Sequence, residues 1–120
     1  NWYNVHYLYT HVVGTSGGNT SDMLEAIEMM NAGKLNPSAL VTHIGGLNAA
    51  VDTTLNLPNI PGGKKLIYTQ IDLPLTAIAD FEKKGKTDPM FAELDRLCKA
   101  NNNLWNAEAE HYLLANAKSI

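Results

Sequence analysis

One cysteine, Cys98, stands among the 120 residues, so no internal disulfide can form; such usage fits a reducing compartment and a cytoplasmic location. Arginine is equally scarce, with Arg96 alone, and the formal net charge is −3. A nucleic-acid face needs a basic patch, and none is present. No apolar run approaches the ~20 residues of a membrane-spanning helix, and no signal-peptide pattern opens the chain. The four histidines, His6, His11, His43 and His111, form neither H-x-x-x-H nor H-E-x-x-H, and there is no C-x-x-C. A metal site within these residues is not expected. No Ser/His/Asp set follows from spacing, so no catalytic residue is assigned. Neither G-x-G-x-x-G nor G-x-x-x-x-G-K-[ST] occurs, which excludes a phosphate loop of either kind. Internal repeats and low-complexity tracts are absent.

What is present centres on residues 12–43, VVGTSGGNTSDMLEAIEMMNAGKLNPSALVTH. Residues 7–13, rich in β-branched and aromatic side chains, read as a strand. Both of its faces carry apolar or aromatic groups, which predicts cover on both sides or pairing with another subunit. Gly14, Gly17 and Gly18 end it. Thr20, Ser21 and Asp22 are N-cap candidates for a helix. Met23, Leu24, Ile27 and Met30 fall on one face of it, and Gly33 stands at the C′ position. After Pro37 the pattern gives a loop and then a helix, whose Leu47, Val51 and Leu55 share one face. Pro58 and Pro61-Gly62-Gly63 close that segment, and Lys64-Lys65-Leu66-Ile67-Tyr68-Thr69 is a short strand. The last 50 residues read as three helices. Leu75, Ile78 and Phe81 line the first, which Gly85 ends. Asp88-Pro89 starts the second, with Phe91, Leu94, Leu97 and Cys98 inward. The third begins near Asn106 and buries Ala109, Tyr112 and Leu113.

The order of VVGTSGG, a helix ending in NAGKL, LVTHIGGL, a further helix and GGKKLIYT resembles the C-terminal part of zinc-type medium-chain alcohol dehydrogenases. This resemblance covers about the first 70 residues. NWYNVHY, THIGGL and LPLTAIADFEKKGK are most similar to the L-sorbose 1-phosphate reductase branch, and the tail beyond Thr69 also fits that branch. The implied fold class is α/β: the last strand of a Rossmann-type sheet, a returning catalytic-domain segment and a helical extension. The implied boundaries are 1–14, 15–70 and 71–120. The abrupt opening, Asn1-Trp2-Tyr3 without methionine, suits a piece of a longer protein.

The resemblance also implies the chemistry. The longer protein would be an NAD(P)-dependent, zinc-containing oxidoreductase of a polyol, sugar phosphate or ketose. Zinc would polarise an alcohol or carbonyl oxygen, and hydride would move to or from the nicotinamide. The zinc ligands and the glycine fingerprint would lie outside these residues, leaving the 120-residue chain inactive and without bound cofactor. Carried over by position, backbone at Val12, Val13 and Gly14 would touch the nicotinamide carboxamide. Lys65 would reach the cofactor pyrophosphate, as a point charge without arginine's fork.

By spacing alone, the turn at residues 14–19 is a plain turn or an anion-binding nest. Lys64-Lys65 reads as a solvated turn, and only the resemblance makes it a phosphate contact. His43 reads as a packed, hydrogen-bonded histidine and Cys98 as a structural thiol. Asp80/Lys84 and Asp95/Lys99 are helix-surface pairs. Residues 3–13 carry no formal charge and no guarding lysine or proline, so they are expected to form a homo-oligomer contact. Two other readings stay open. One is an independent dimerisation module. The other is a small phosphosugar-binding domain using the 14–19 turn and Lys65.

Overall fold

The computed structural model describes residues 1–14 and 16–120. They form two compact units, Asn1–Leu35 and Asn36–Ile120.

In the first unit the expected strand at residues 7–13 is replaced. Trp2–Tyr7 form helix α1, Tyr9 has a φ of 50°, and residues 9–14 join no strand among the described residues. Asn1 caps α1 by accepting from the Tyr3 N–H at 3.1 Å. A strand without neighbours leaves its N–H and C=O groups unpaired, whereas a helix pairs them locally. Aromatic groups that suit a strand also suit i,i+4 stacking on a helix. Tyr3 and Tyr7 stack with ring centres 4.3 Å apart.

Helix α2, Thr20–Asn31, forms as its sequence signals require, with one shift at the start. The N-cap is Asn19 rather than Thr20, Ser21 or Asp22. Its side chain accepts from the N–H groups of Ser21 and Asp22, while Asp22 accepts from the Asn19 N–H at 2.7 Å. That reciprocal pair is a capping box. At the other end Gly33 adopts φ 68°, with Lys34 N–H donating to the Met29 carbonyl and Gly33 N–H to that of Met30. This is the Schellman arrangement, and glycine enters its left-handed position without strain. Met23, Leu24 and Ile27 share a face as expected, and that face is exposed.

The second unit holds a three-stranded mixed sheet in the order β2-β1-β3. Strand β1 is Val41–Gly46, β2 is Lys64–Tyr68 and β3 is Thr76–Ala77. β1 and β2 are parallel, with Ile44 opposite Leu66 and Gly46 opposite Tyr68. Helix α3, Ala50–Asn56, provides the crossover that parallel pairing demands. β3 pairs antiparallel with β1. Close approach explains Gly46: a Cβ there would strike the Ile71 carbonyl and the Leu73 nitrogen.

The tail supplies most of the core. Helices α4, Phe81–Gly85, α5, Pro89–Ala100, and α6, Ala107–Asn116, pack Phe81, Leu94 and Leu113 against Ile44 of β1. α5 starts on the Asp88 cap, whose carboxylate accepts from the Met90 N–H at 2.9 Å. Its inward stripe of Phe91, Leu94, Leu97 and Cys98 is buried as expected. Two expectations change. Leu75 and Ile78 are not on a helix with Phe81: Thr76–Ala77 is strand, Ile78–Asp80 is a 3-10 turn, and only Phe81 opens α4. The pairing of residues 76–77 with β1 accounts for this, because it satisfies backbone groups that a helix would otherwise use. Across the 3-10 turn Leu47–Ala49 and α3, the face shared by Leu47, Val51 and Leu55 is exposed, Val51 at 67% and Leu55 at 75%, while Ala49 and Thr53 turn inward.

Candidate functional site

The chemistry-bearing groups of the second unit gather where β2 begins. Lys65 is the second residue of this strand, and its ammonium donates to the carbonyls of Ile60, Pro61, Gly62 and Gly63 at 3.1, 3.0, 3.3 and 2.8 Å. An ammonium has three protons, so these four oxygens engage it fully. The loop that supplies them lies tightly against β1. Gly62 has φ 90°, and a Cβ there would come within 2.8 Å of the Thr42 hydroxyl oxygen. Lys65 therefore acts as a staple for the 60–63 loop, a role that spacing did not suggest. Lys64 beside it is exposed.

Next to this loop, α3 and β2 enclose a cavity of about 450 Å³, walled by Leu57, Ile60 and Ile67 and edged by Lys64 and Lys65. Thr53 lines it too. Only 7% of Thr53 is exposed, and its buried hydroxyl has no hydrogen-bond partner. No periodicity argument could have marked Thr53, since the apolar stripe pointed to the opposite face of α3.

His43, on β1, behaves as the bland reading expected. Its Nδ1 lies 2.9 Å from the Thr42 hydroxyl. Burial lowers its pKa first, the Lys65 charge lowers it further, and Asp80 opposes both. The imidazole is therefore neutral near pH 7.

Two further groups are structural. Tyr68 donates to the Glu110 carboxylate at 2.5 Å and accepts from the Trp105 indole N–H at 2.9 Å. Burial, followed by the Glu110 hydrogen bond, pushes the phenol pKa up. Cys98 is buried, and burial with help from Asp95 pushes its thiol up to about 11. It is a packed thiol rather than a nucleophile. Of the two expected helix pairs, Lys99 meets Asp95 at 2.8 Å and Glu82 at 2.9 Å. Lys84 instead lies over the Phe91 ring, 5.1 Å from its centre.

Val12, Val13 and Gly14 belong to the first unit, where all three are exposed; Val13 is 92% exposed. Of the expected 14–19 nest, Thr15 lies outside the described residues. The Asn19 side chain already occupies the Ser21 and Asp22 N–H groups, and the Asp22 carboxylate sits at the same helix end. That negative charge opposes an anion there. Among the described residues no group of three or more His, Cys, Asp or Glu side chains is placed to hold a metal ion. These described residues therefore do not fit a zinc centre. Among the described residues no helix is long and apolar enough to cross a membrane.

Comparison with known proteins places this chain beside oxidoreductases of phosphorylated sugars and sugar alcohols. It is 57% identical to a mannitol-1-phosphate 5-dehydrogenase of Aliivibrio fischeri over 95% of its length. It is 49% identical to an L-sorbose 1-phosphate reductase of Klebsiella pneumoniae over its whole length. An uncharacterized Escherichia coli protein, YggP, is 64% identical over 96% of the chain. The chain spans 27% of the length of each of these relatives. The likeness to L-sorbose 1-phosphate reductase expected from THIGGL and LPLTAIADFEKKGK is thus found across the full 120 residues. No family model matches the chain, and no solved structure does.

Proposed function

We propose that these residues are the C-terminal part of an NAD(P)-dependent dehydrogenase or reductase acting on a phosphorylated sugar alcohol or ketose. The observation that carries this reading is the 57% and 49% identity to two enzymes so named, across nearly the whole chain. The α/β architecture with a small mixed sheet agrees with it. The finer reading is a medium-chain fold, with segments meeting near residues 14 and 70 and a zinc centre built from residues of the longer protein. Within it, backbone at Val12, Val13 and Gly14 faces the nicotinamide carboxamide. Lys65 fixes the loop beside the pyrophosphate, its ammonium being held by that loop's carbonyls.

The exposed Tyr3, Tyr7, Leu8, Tyr9, Val12 and Val13 support association through the first unit, now as a helix and an irregular segment rather than a strand edge. The cytoplasm is the compartment this reading favours, since its single cysteine is buried and free.

The test is turnover by the full-length protein. Mannitol 1-phosphate with NAD⁺ or NADP⁺, or L-sorbose 1-phosphate with the reduced cofactor, should change absorbance at the nicotinamide band. The unphosphorylated sugars should react far more slowly. Absence of turnover with both phosphorylated substrates, in the presence of zinc, refutes the reading.

A further inference from the structure

We propose that the cavity between α3, the 60–63 loop and β2 receives the phosphate end of a phosphorylated sugar or sugar alcohol. This deepens the functional reading above and rests on it. The first argument is charge. The chain carries a net −3, yet this cavity is edged by two lysines and no carboxylate. Three other cavities among the described residues carry carboxylates, Glu82 and Asp95 with Lys99, Asp52, and Asp72 with Lys118, and a fourth, along Val51 and Leu55, carries no charge of either sign. An anion entering this one meets favourable charge alone, and its apolar walls screen that charge less than water would.

The second argument is the division of labour between the lysines. The Lys65 ammonium is engaged by four carbonyls, whereas exposed Lys64 meets no carboxylate among the described residues. Lys64 is thus the cation able to follow a ligand. The third is the orphaned Thr53 hydroxyl. A buried hydroxyl without a partner is unfavourable, and native interiors rarely keep one. Threonine on a helix divides between two χ1 rotamers. Thr53 lines this cavity as well as the one beside Asp52, and in the proposal its unpartnered hydroxyl donates to the ligand here. One ammonium and one hydroxyl suit a compact terminal phosphate. A volume of about 450 Å³ suits a six-carbon sugar phosphate and is small for a whole dinucleotide.

The test uses the ¹⁵N-labelled 120-residue chain, titrated separately with mannitol 1-phosphate, mannitol and NADP⁺. Mannitol 1-phosphate should shift the amides of Thr53, Gly63 and Lys64, and mannitol should not. Thr53→Val and Lys64→Gln should each weaken that binding by about tenfold or more, with amides away from the cavity unmoved. Equal shifts with mannitol, or no shift with mannitol 1-phosphate, overturn the proposal. Shifts at these amides with NADP⁺ and none with mannitol 1-phosphate also overturn it and make the cavity a cofactor subsite. In the full-length protein the same variants should raise KM for the phosphorylated substrate. If turnover stands with KM unchanged, the site falls and the function survives. If the unmutated protein turns over neither phosphorylated substrate, the functional reading falls.

Discussion

Removing one oxygen from Tyr68 should be among the most damaging small changes in the second unit. Tyr68 ends β2, and its hydroxyl is the middle of a chain from Trp105 to Glu110. Tyr68→Phe keeps the ring against its neighbours, so the transfer term hardly changes. It removes the hydrogen bond to a carboxylate, of the kind worth about 1.5–3 kcal/mol. It also leaves the indole N–H of Trp105, a residue only 3% exposed, without its acceptor, at a further ~1–3 kcal/mol. Glu110 is half-buried and recovers part of its loss from water. A net destabilisation of about 2–4 kcal/mol follows, read as a lower urea midpoint at unchanged m-value and a Tm lower by roughly 10 °C. The pH dependence has a fixed sign. The folded state raises the phenol pKa, so it holds the proton more tightly than the unfolded chain does. The stabilisation is complete below the ordinary tyrosine pKa of about 10 and is lost as pH rises above it. The gap between the unmutated chain and Tyr68→Phe should therefore narrow in alkali. A gap below 0.5 kcal/mol at pH 7, or one that widens above pH 10, would refute the reasoning.

Two other perturbations test neighbouring parts. Cys98, with its thiol pushed up to about 11, should react with iodoacetamide at pH 8 far more slowly than a free thiol and at full rate in denaturant; rapid native labelling would contradict its burial. Because that pKa is raised, its share of stability is present below the ordinary thiol range and lost as pH climbs toward 11. Lys65→Ala frees the carbonyls of the 60–63 loop, all of which water can partly reach, so the cost should be only about 1 kcal/mol. Protection of the loop amides from hydrogen exchange should fall with it, and unchanged protection would deny the staple.

The helices were legible where punctuation is local. Asp88-Pro89 fixed the start of α5, and Gly33 fixed the end of α2, because a cap or a left-handed residue acts within one turn of its own position. Burial along α5 was legible too, since Phe91, Leu94, Leu97 and Cys98 repeat at helical spacing against a core that the tail itself supplies. The sheet was harder. β1 lies where the pattern after Pro37 gave a loop and then a helix, and it ends in Gly45-Gly46 because Ile67, Leu75 and the Ile71 carbonyl crowd against those glycines. That reason lies about 25 residues downstream, and a local pattern cannot contain it.

The remaining mismatches share one cause. Residues 7–13 were read as a strand covered on both faces or paired with another subunit, and Leu47, Val51 and Leu55 as sharing one apolar face, and both sets are exposed within their own units. An apolar pattern states that a face prefers cover; it does not state which chain supplies it. The relatives are nearly four times as long as this chain, at 27% coverage each. Under the proposed function, those faces are where the rest of such a protein would pack. The site shows the converse. Lys65 was singled out by its position in the motif, but its loop contacts and the Thr53 cavity arise from how α3 crosses between β1 and β2. A motif locates a charge along the chain; the crossover decides which lysine is left free to meet a ligand.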